Sequence, residues 1–182
     1  MKTILVPIDF SEASDRVIDA ARTLAQVIDA RIVLMHVVQA PMVVAGLGPF
    51  VGEALRFTAE VERGARRHLR SLQTRLAKRS VKVDTLCEQG SPVDLIAKHA
   101  KRLGARYVVV GSHGRTAFYD LVVGSTTSGV LTRASCPVVV VPPAPARQKS
   151  GGTAKKVSGM ASDHRKSQPS ARNRGKPRKY SK

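Results

Sequence analysis

Short β-branched runs alternate along this chain with stretches whose apolar residues recur every three or four positions. The first kind predicts strands buried on both faces, the second helices with one apolar side. Lys2 to Ile8 is the first predicted strand, and Glu12 to Asp29 the first helix, with Val17, Ala21, Leu24, Ala25 and Ile28 along one face. Ser11 stands where an N-cap belongs, and Glu12 and Asp15 put negative charge in the first turn. Strand two runs from Arg31 to Val38. An irregular stretch from Gln39 to Gly52 carries Pro41, Gly46, Gly48 and Pro49. Phe57, Val61, Ala65, Leu69, Leu72 and Leu76 then mark a long amphipathic helix whose other side is rich in arginine. Val81 to Glu88 is strand three. Ser91, Pro92 and Asp94 supply a cap, a first-turn proline and a first-turn acid for a helix ending near Gly104. Arg106 to Val110 is strand four, Ser125 or Thr126 caps the helix after it, and Val138 to Val141, held between two prolines, ends the pattern.

Strands that alternate with helices predict an α/β fold, a parallel sheet with helices on both faces. Ligands of such sheets bind beyond the carboxyl ends of the strands. The sequence places its most distinctive motif there. Gly111-Ser112-His113-Gly114 follows strand four, and Gly124-Ser125-Thr126-Thr127 opens the next helix, giving the spacing Gly-x2-Gly-x9-Gly-Ser. Glycines remove the Cβ atoms that keep a phosphate away from backbone N–H groups, and a helix N-terminus offers unpaired donors at the positive end of its dipole. Ordinary turn glycines joining a strand to a helix are the alternative reading of the same residues.

This spacing resembles the nucleotide-binding signature of the universal stress protein family. Three other segments agree: Ile4-Leu5-Val6-Pro7-Ile8-Asp9-Phe10-Ser11 resembles the family's first strand and acidic adenine contact, Leu34-Met35-His36-Val37 its second strand, and Cys136 to Pro142 its last. The resemblance covers about residues 1–143 and implies an open five-stranded parallel sheet, Rossmann-like, in the order 3-2-1-4-5. It also implies a bound adenine nucleotide, ATP with or without Mg²⁺, between strands one and four. In that site Asp9 would accept from the adenine amino group or the ribose hydroxyls; it could equally cap the first helix, and both could hold at once. Val37 would present backbone groups to the adenine edge, with Pro7 and Val110 as apolar wall, unless these three are plain core. Gly111, Ser112, His113 and Gly114 would approach the phosphates, Ser125 and Thr126 would add hydroxyls and N–H groups after Gly124, and Arg115 would be either a neighbouring cation or a solvated charge. The resemblance also points to a homodimer through strand 138–141, whose valines at a sheet edge invite a second copy.

Composition narrows the function. The 182-residue chain is 42% hydrophobic, enough for one core, and carries a net charge of +18. Residues 147–182 hold twelve Lys and Arg against Asp163 alone, a charge of +11, and lack apolar periodicity. They predict a disordered basic tail over 144–182 beside a 1–143 domain, and a polyanion or nucleic acid is its candidate partner. Tyr180 is the tail's single aromatic, so a base-stacking platform is missing. No run is long enough for a membrane span, and Asp9 breaks the N-terminal apolar segment too early for a signal peptide, which predicts a cytoplasmic protein. Cys87 and Cys136 lack metal-ligand spacing and are expected as buried reduced thiols in strands. There is no Gly-x4-Gly-Lys-Ser/Thr, no acidic pair at metal-ligand spacing and no Gly-x-Ser-x-Gly, while His113 has no orienting carboxylate nearby in sequence. A nucleotide-binding stress-response module is therefore expected in preference to an enzyme, with weak ATP hydrolysis and tail-driven nucleic-acid binding as alternatives.

Overall fold

Among the described residues nine elements alternate between strand and helix: β1 (Lys2–Pro7), α1 (Ala13–Ile28), β2 (Ala30–Val38), α2 (Val51–Ala77), β3 (Val83–Gln89), α3 (Pro92–Arg102), β4 (Tyr107–Gly111), α4 (Ser125–Arg133) and β5 (Val138–Val141). The computed structural model describes residues 1–39, 51–79, 81–112 and 123–143, all within the unit Met1–Ala146. The expected basic tail lies outside the described residues, as does most of the irregular stretch after Gln39. The strands form one parallel sheet in the order β3-β2-β1-β4-β5, as expected.

Alternation along each strand divides the core into two layers. Ile4, Val6, Ile32, Leu34 and Val109 face α1 and α2, where they meet Val17, Ile18, Ala21, Leu69 and Leu72. Leu5, Val33, Met35 and Val108 face α3 and α4 and meet Ile96, Ala100 and Val130. Each fully buried Leu or Ile contributes about 1.5–3 kcal/mol. Strands buried on both faces must be apolar throughout, which is why β1, β2 and β4 lack the in-out alternation of half-exposed strands.

The helix starts differ from expectation. None of Ser11, Ser91, Ser125 or Thr126 caps through its hydroxyl. Ser125 is already the first helical residue of α4, so the N-cap position falls on Gly124, and a hydroxyl on Ser125 or Thr126 comes too late. α1 begins at Ala13, so its N-cap position falls on Glu12 and not on Ser11, and no side chain caps it. Cys87 is buried in β3 as expected, but Cys136 is half-buried in the bend before β5. Pro137 has no N–H to give a ladder, so the strand begins after it. Burial pushes both thiols up from their ordinary value.

A buried polar relay ties α3 to β3. His99, with no solvent exposure, has Nδ1 2.9 Å from the Arg102 guanidinium and Nε2 2.8 Å from Glu88 Oε1. A guanidinium can only donate, so Nδ1 accepts and Nε2 carries the proton toward Glu88. That hydrogen bond holds the Glu88 carboxyl below its ordinary value.

Candidate functional site

The sheet's switch point lies between β1 and β4, and a cleft of about 520 Å³ opens at their carboxyl ends. Its size is that of a small-molecule site. The opening follows from unequal strand lengths. β1 pairs with β2 as far as Pro7 and Met35, while β2 continues to Val38 alongside β3. The Ile8 amide donates to Met35 O at 2.8 Å, and Ile32 N donates to Lys82 O. In a parallel ladder successive residues turn their N–H and C=O groups to opposite neighbours. Met35 and Val37 therefore face the β1 side and His36 faces β3. Beyond the end of β1, the backbone of Val37 is directed into the cleft.

The chain leaves β1 through a loop that is fixed in place. Phe10 adopts φ 60°, a left-handed conformation uncommon for a bulky residue. Two rings hold it there: His36 of β2 stacks on Phe10 at 4.2 Å between centroids, and His68 of α2 stacks at 4.4 Å with only 6° between planes. His36 Nδ1 lies 2.8 Å from Ile8 O, and because a carbonyl only accepts, that nitrogen donates. No sequence signal marks this stack, since its members come from a loop, a strand and a helix far apart in the chain.

Asp9, adjacent to Phe10, is half-buried at the cleft. Its Oδ1 accepts from the Ser11 amide at 3.0 Å and the Ser14 hydroxyl at 3.3 Å. Burial pushes the carboxyl up, but donors from Ser11 and Ser14 outweigh it and hold the group below its ordinary value. Asp9 is thus a fixed anion that ties the β1–α1 loop to the hydroxyl of Ser14 in the first turn of α1 and still lines the cleft.

Across the cleft, α4 is fastened to the end of β4. The Thr127 hydroxyl donates to Gly111 O at 2.7 Å, the Gly124 amide to Ser112 O at 2.8 Å, and the Ser112 amide to Val141 O at 2.8 Å. The first turn of α4 therefore stands over β4 with its N-terminal N–H groups beside the opening. Thr127, nearly fully buried, was not anticipated; four hydroxyl residues in a row after Gly124 were the available signal.

Of the expected site residues, Pro7, Asp9, Val37, Val110, Gly111, Gly124, Ser125 and Thr126 line this one cleft. Ser112 lies at its edge, bonded through its backbone to both α4 and β5. His113, Gly114 and Arg115 lie outside the described residues. Asp9 is the only carboxylate among the described lining residues. No helix among the described residues is long and apolar enough to cross a membrane.

The chain matches the model of the universal stress protein family over residues 1–142. Universal stress protein YxiE of Bacillus subtilis is 29% identical over 143 residues, covering 76% of this chain and 97% of that one. The solved structure of universal stress protein UspA from Lactobacillus plantarum superposes with a TM-score of 0.69 at 26% identity, over 77% of this chain and 97% of that one. The universal stress protein from Archaeoglobus fulgidus, solved in complex with dAMP, superposes with a TM-score of 0.55 at 20% identity, over 77% of this chain and 97% of that one. Sheet order, cleft position and a match across the whole folded region agree, and the chain belongs to the universal stress protein family.

Proposed function

We propose that the folded region binds an adenine nucleotide, ATP, in the cleft between β1 and β4 and serves as a stress-response module without turnover. The observation that carries this reading is the convergence of two complementary devices on one 520 Å³ cleft. Asp9 and the Val37 backbone offer acceptors and a donor on the β1–β2 side, suited to a ribose and an adenine edge. Gly111, Gly124 and the first turn of α4 offer backbone N–H groups on the other side, suited to phosphates. Pro7 and Val110 supply apolar wall between them. The dAMP bound by the Archaeoglobus relative supports an adenine nucleotide as the ligand class. A single carboxylate among the described lining residues favours binding over catalysis, since phosphoryl transfer calls for metal ligands and a positioned nucleophile together.

Calorimetry with ATP and GTP, with and without Mg²⁺, tests the assignment. Wild type should prefer ATP, and Gly124→Val, which sets side-chain carbons at the phosphate end, should weaken binding at least tenfold while the circular dichroism spectrum is unchanged. Equal affinities for the two nucleotides, or for the two proteins, would overturn it. A second part of the reading is a homodimer. β5 is an edge strand with Val139 exposed, and a parallel edge of four valines presents unpaired backbone groups to a second copy across a two-fold axis.

A further inference from the structure

Helix α2 carries a row of arginines that form no ion pair among the described residues and do not line the cleft. Arg56, Arg63, Arg67 and Arg70 are all exposed, and at 100° per residue they fall within about 40° of one line along the helix. The buried positions Ala65, Leu69, Leu72 and Leu76 fall on the opposite side, so the row lies on the outer side of α2, with Arg70 at its end leaning toward Thr85 of β3. It spans about 21 Å at 1.5 Å per residue, and Lys78 extends it.

Other arginines of the same region are structurally engaged. Arg66 pairs with Glu62 and bonds Cys87 O, Arg75 pairs with Asp15, and Arg79 with Asp19. Among the described residues the row has no such pair. Glu53 and Glu60, the carboxylates one turn from Arg56 and Arg63, form no ion pair with the row within 4 Å among the described residues, and the Arg63 Nε donates to the Ala59 carbonyl of its own helix. Arg63, Arg67 and Arg70 stand at i, i+4 and i+7, spacings at which like charges weaken a helix. A row that costs the helix and forms no ion pair among the described residues is accounted for by a partner of opposite charge.

We propose that this face of α2 binds the phosphodiester backbone of a double-stranded nucleic acid, without sequence preference. A straight row of single sign matches a linear polyanion, and a helix fits within the roughly 12 Å major groove. No aromatic side chain interrupts the row, which removes the stacking that single strands require. Guanidinium groups suit phosphate oxygens through paired N–H donors. None of these arginines lines the cleft.

Four phosphate contacts contribute about 3.6 to the slope of log K against log salt, or about 150-fold in affinity between 50 and 200 mM. The test measures anisotropy of a 20-base-pair DNA duplex and of the matching RNA duplex with the full chain at both salts. Arg56→Gln, Arg63→Gln, Arg67→Gln and Arg70→Gln together should remove that slope increment; Arg63→Gln with Arg67→Gln should remove half. Gln matches Arg in helix propensity, and retained ATP-cleft stability in urea unfolding confirms the fold. A second full-length protein with Lys149, Lys155, Lys156 and Lys166 changed to Gln has the same net charge and should lose less than half as much. Equal losses from the two sets, an unchanged slope in the α2 variants, or tighter binding to vesicles of mixed neutral and anionic phospholipid than to either duplex would overturn the proposal.

Discussion

Gly129, in the middle of α4, is the position where a single added carbon should have the clearest effect. In an isolated helix Gly→Ala is favourable by about 1 kcal/mol. Here a Cβ would lie 2.7 Å and 2.9 Å from the two Cγ atoms of Val93 and 3.4 Å from its Cβ, so α3 and α4 must separate or Val93 must leave its rotamer. Such overpacking costs about 1–3 kcal/mol. The two effects sum to a net destabilisation of about 1 kcal/mol, or about 2–4 °C in Tm for a domain of this size. Val93→Ala removes both close atoms. Alone it should cost about 0.5–1 kcal/mol, because Val93 is half-buried and loses two methyl groups. Combined with Gly129→Ala it should return stability to near wild type, which makes the coupling between the two sites about 2 kcal/mol. Urea unfolding of the four proteins at constant m measures this. A Gly129→Ala protein about 1 kcal/mol more stable than wild type, or strictly additive changes, would refute the helix contact.

Two further outcomes follow from the same structure. Asp9 has its native pKa below the unfolded value near 4, so its stabilising contribution is complete above that value and is lost as pH falls through the native one. The stability gap between wild type and Asp9→Asn should therefore narrow from pH 6 to pH 3 in urea titrations, and a gap that stays constant would contradict the assignment. Val139→Lys, which charges the exposed edge of β5, should convert a micromolar dimer to a folded monomer in light scattering; a wild-type monomer under those conditions rules out the edge pairing.

The periodicities of the sequence were sufficient for the nine elements, because buried parallel strands and one-sided helices leave different apolar repeats. The strand order was a different matter: spacing does not determine which strands become neighbours, and the 3-2-1-4-5 order came through the resemblance. Cap residues misled for a local reason. Ser and Thr favour helix starts in general, yet α1 begins only at Ala13, which puts Glu12 at the cap position and leaves Ser11 in the loop, where its amide is held by Asp9. His99 sits on the apolar face of α3, and a lone polar residue there was a visible signal; that Glu88 and Arg102 would complete it was not, since Glu88 belongs to another element. Val37 was legible as a site residue only by resemblance. The physical reason, a backbone left without a strand partner where β1 ends, needed the register of three strands at once.

That register has a mechanical consequence. β1 joins β2 through six paired positions and β2 joins β3 through seven, but β1 meets β4 only at Ile4–Tyr107 and Leu5–Val108, with one added bond from the Arg106 amide to Thr3 O. The sheet is thus two plates, β3-β2-β1 and β4-β5, sharing a short seam. Asp9 stands on the first plate and the start of α4 is bolted to the second through Thr127. A ligand seated between them braces the seam, and parting the plates requires releasing it. At a hundred times its Kd such a brace adds about 2.7 kcal/mol to the work of separation. Resistance of the two plates to shear then rises with ligand concentration, with no change in any strand.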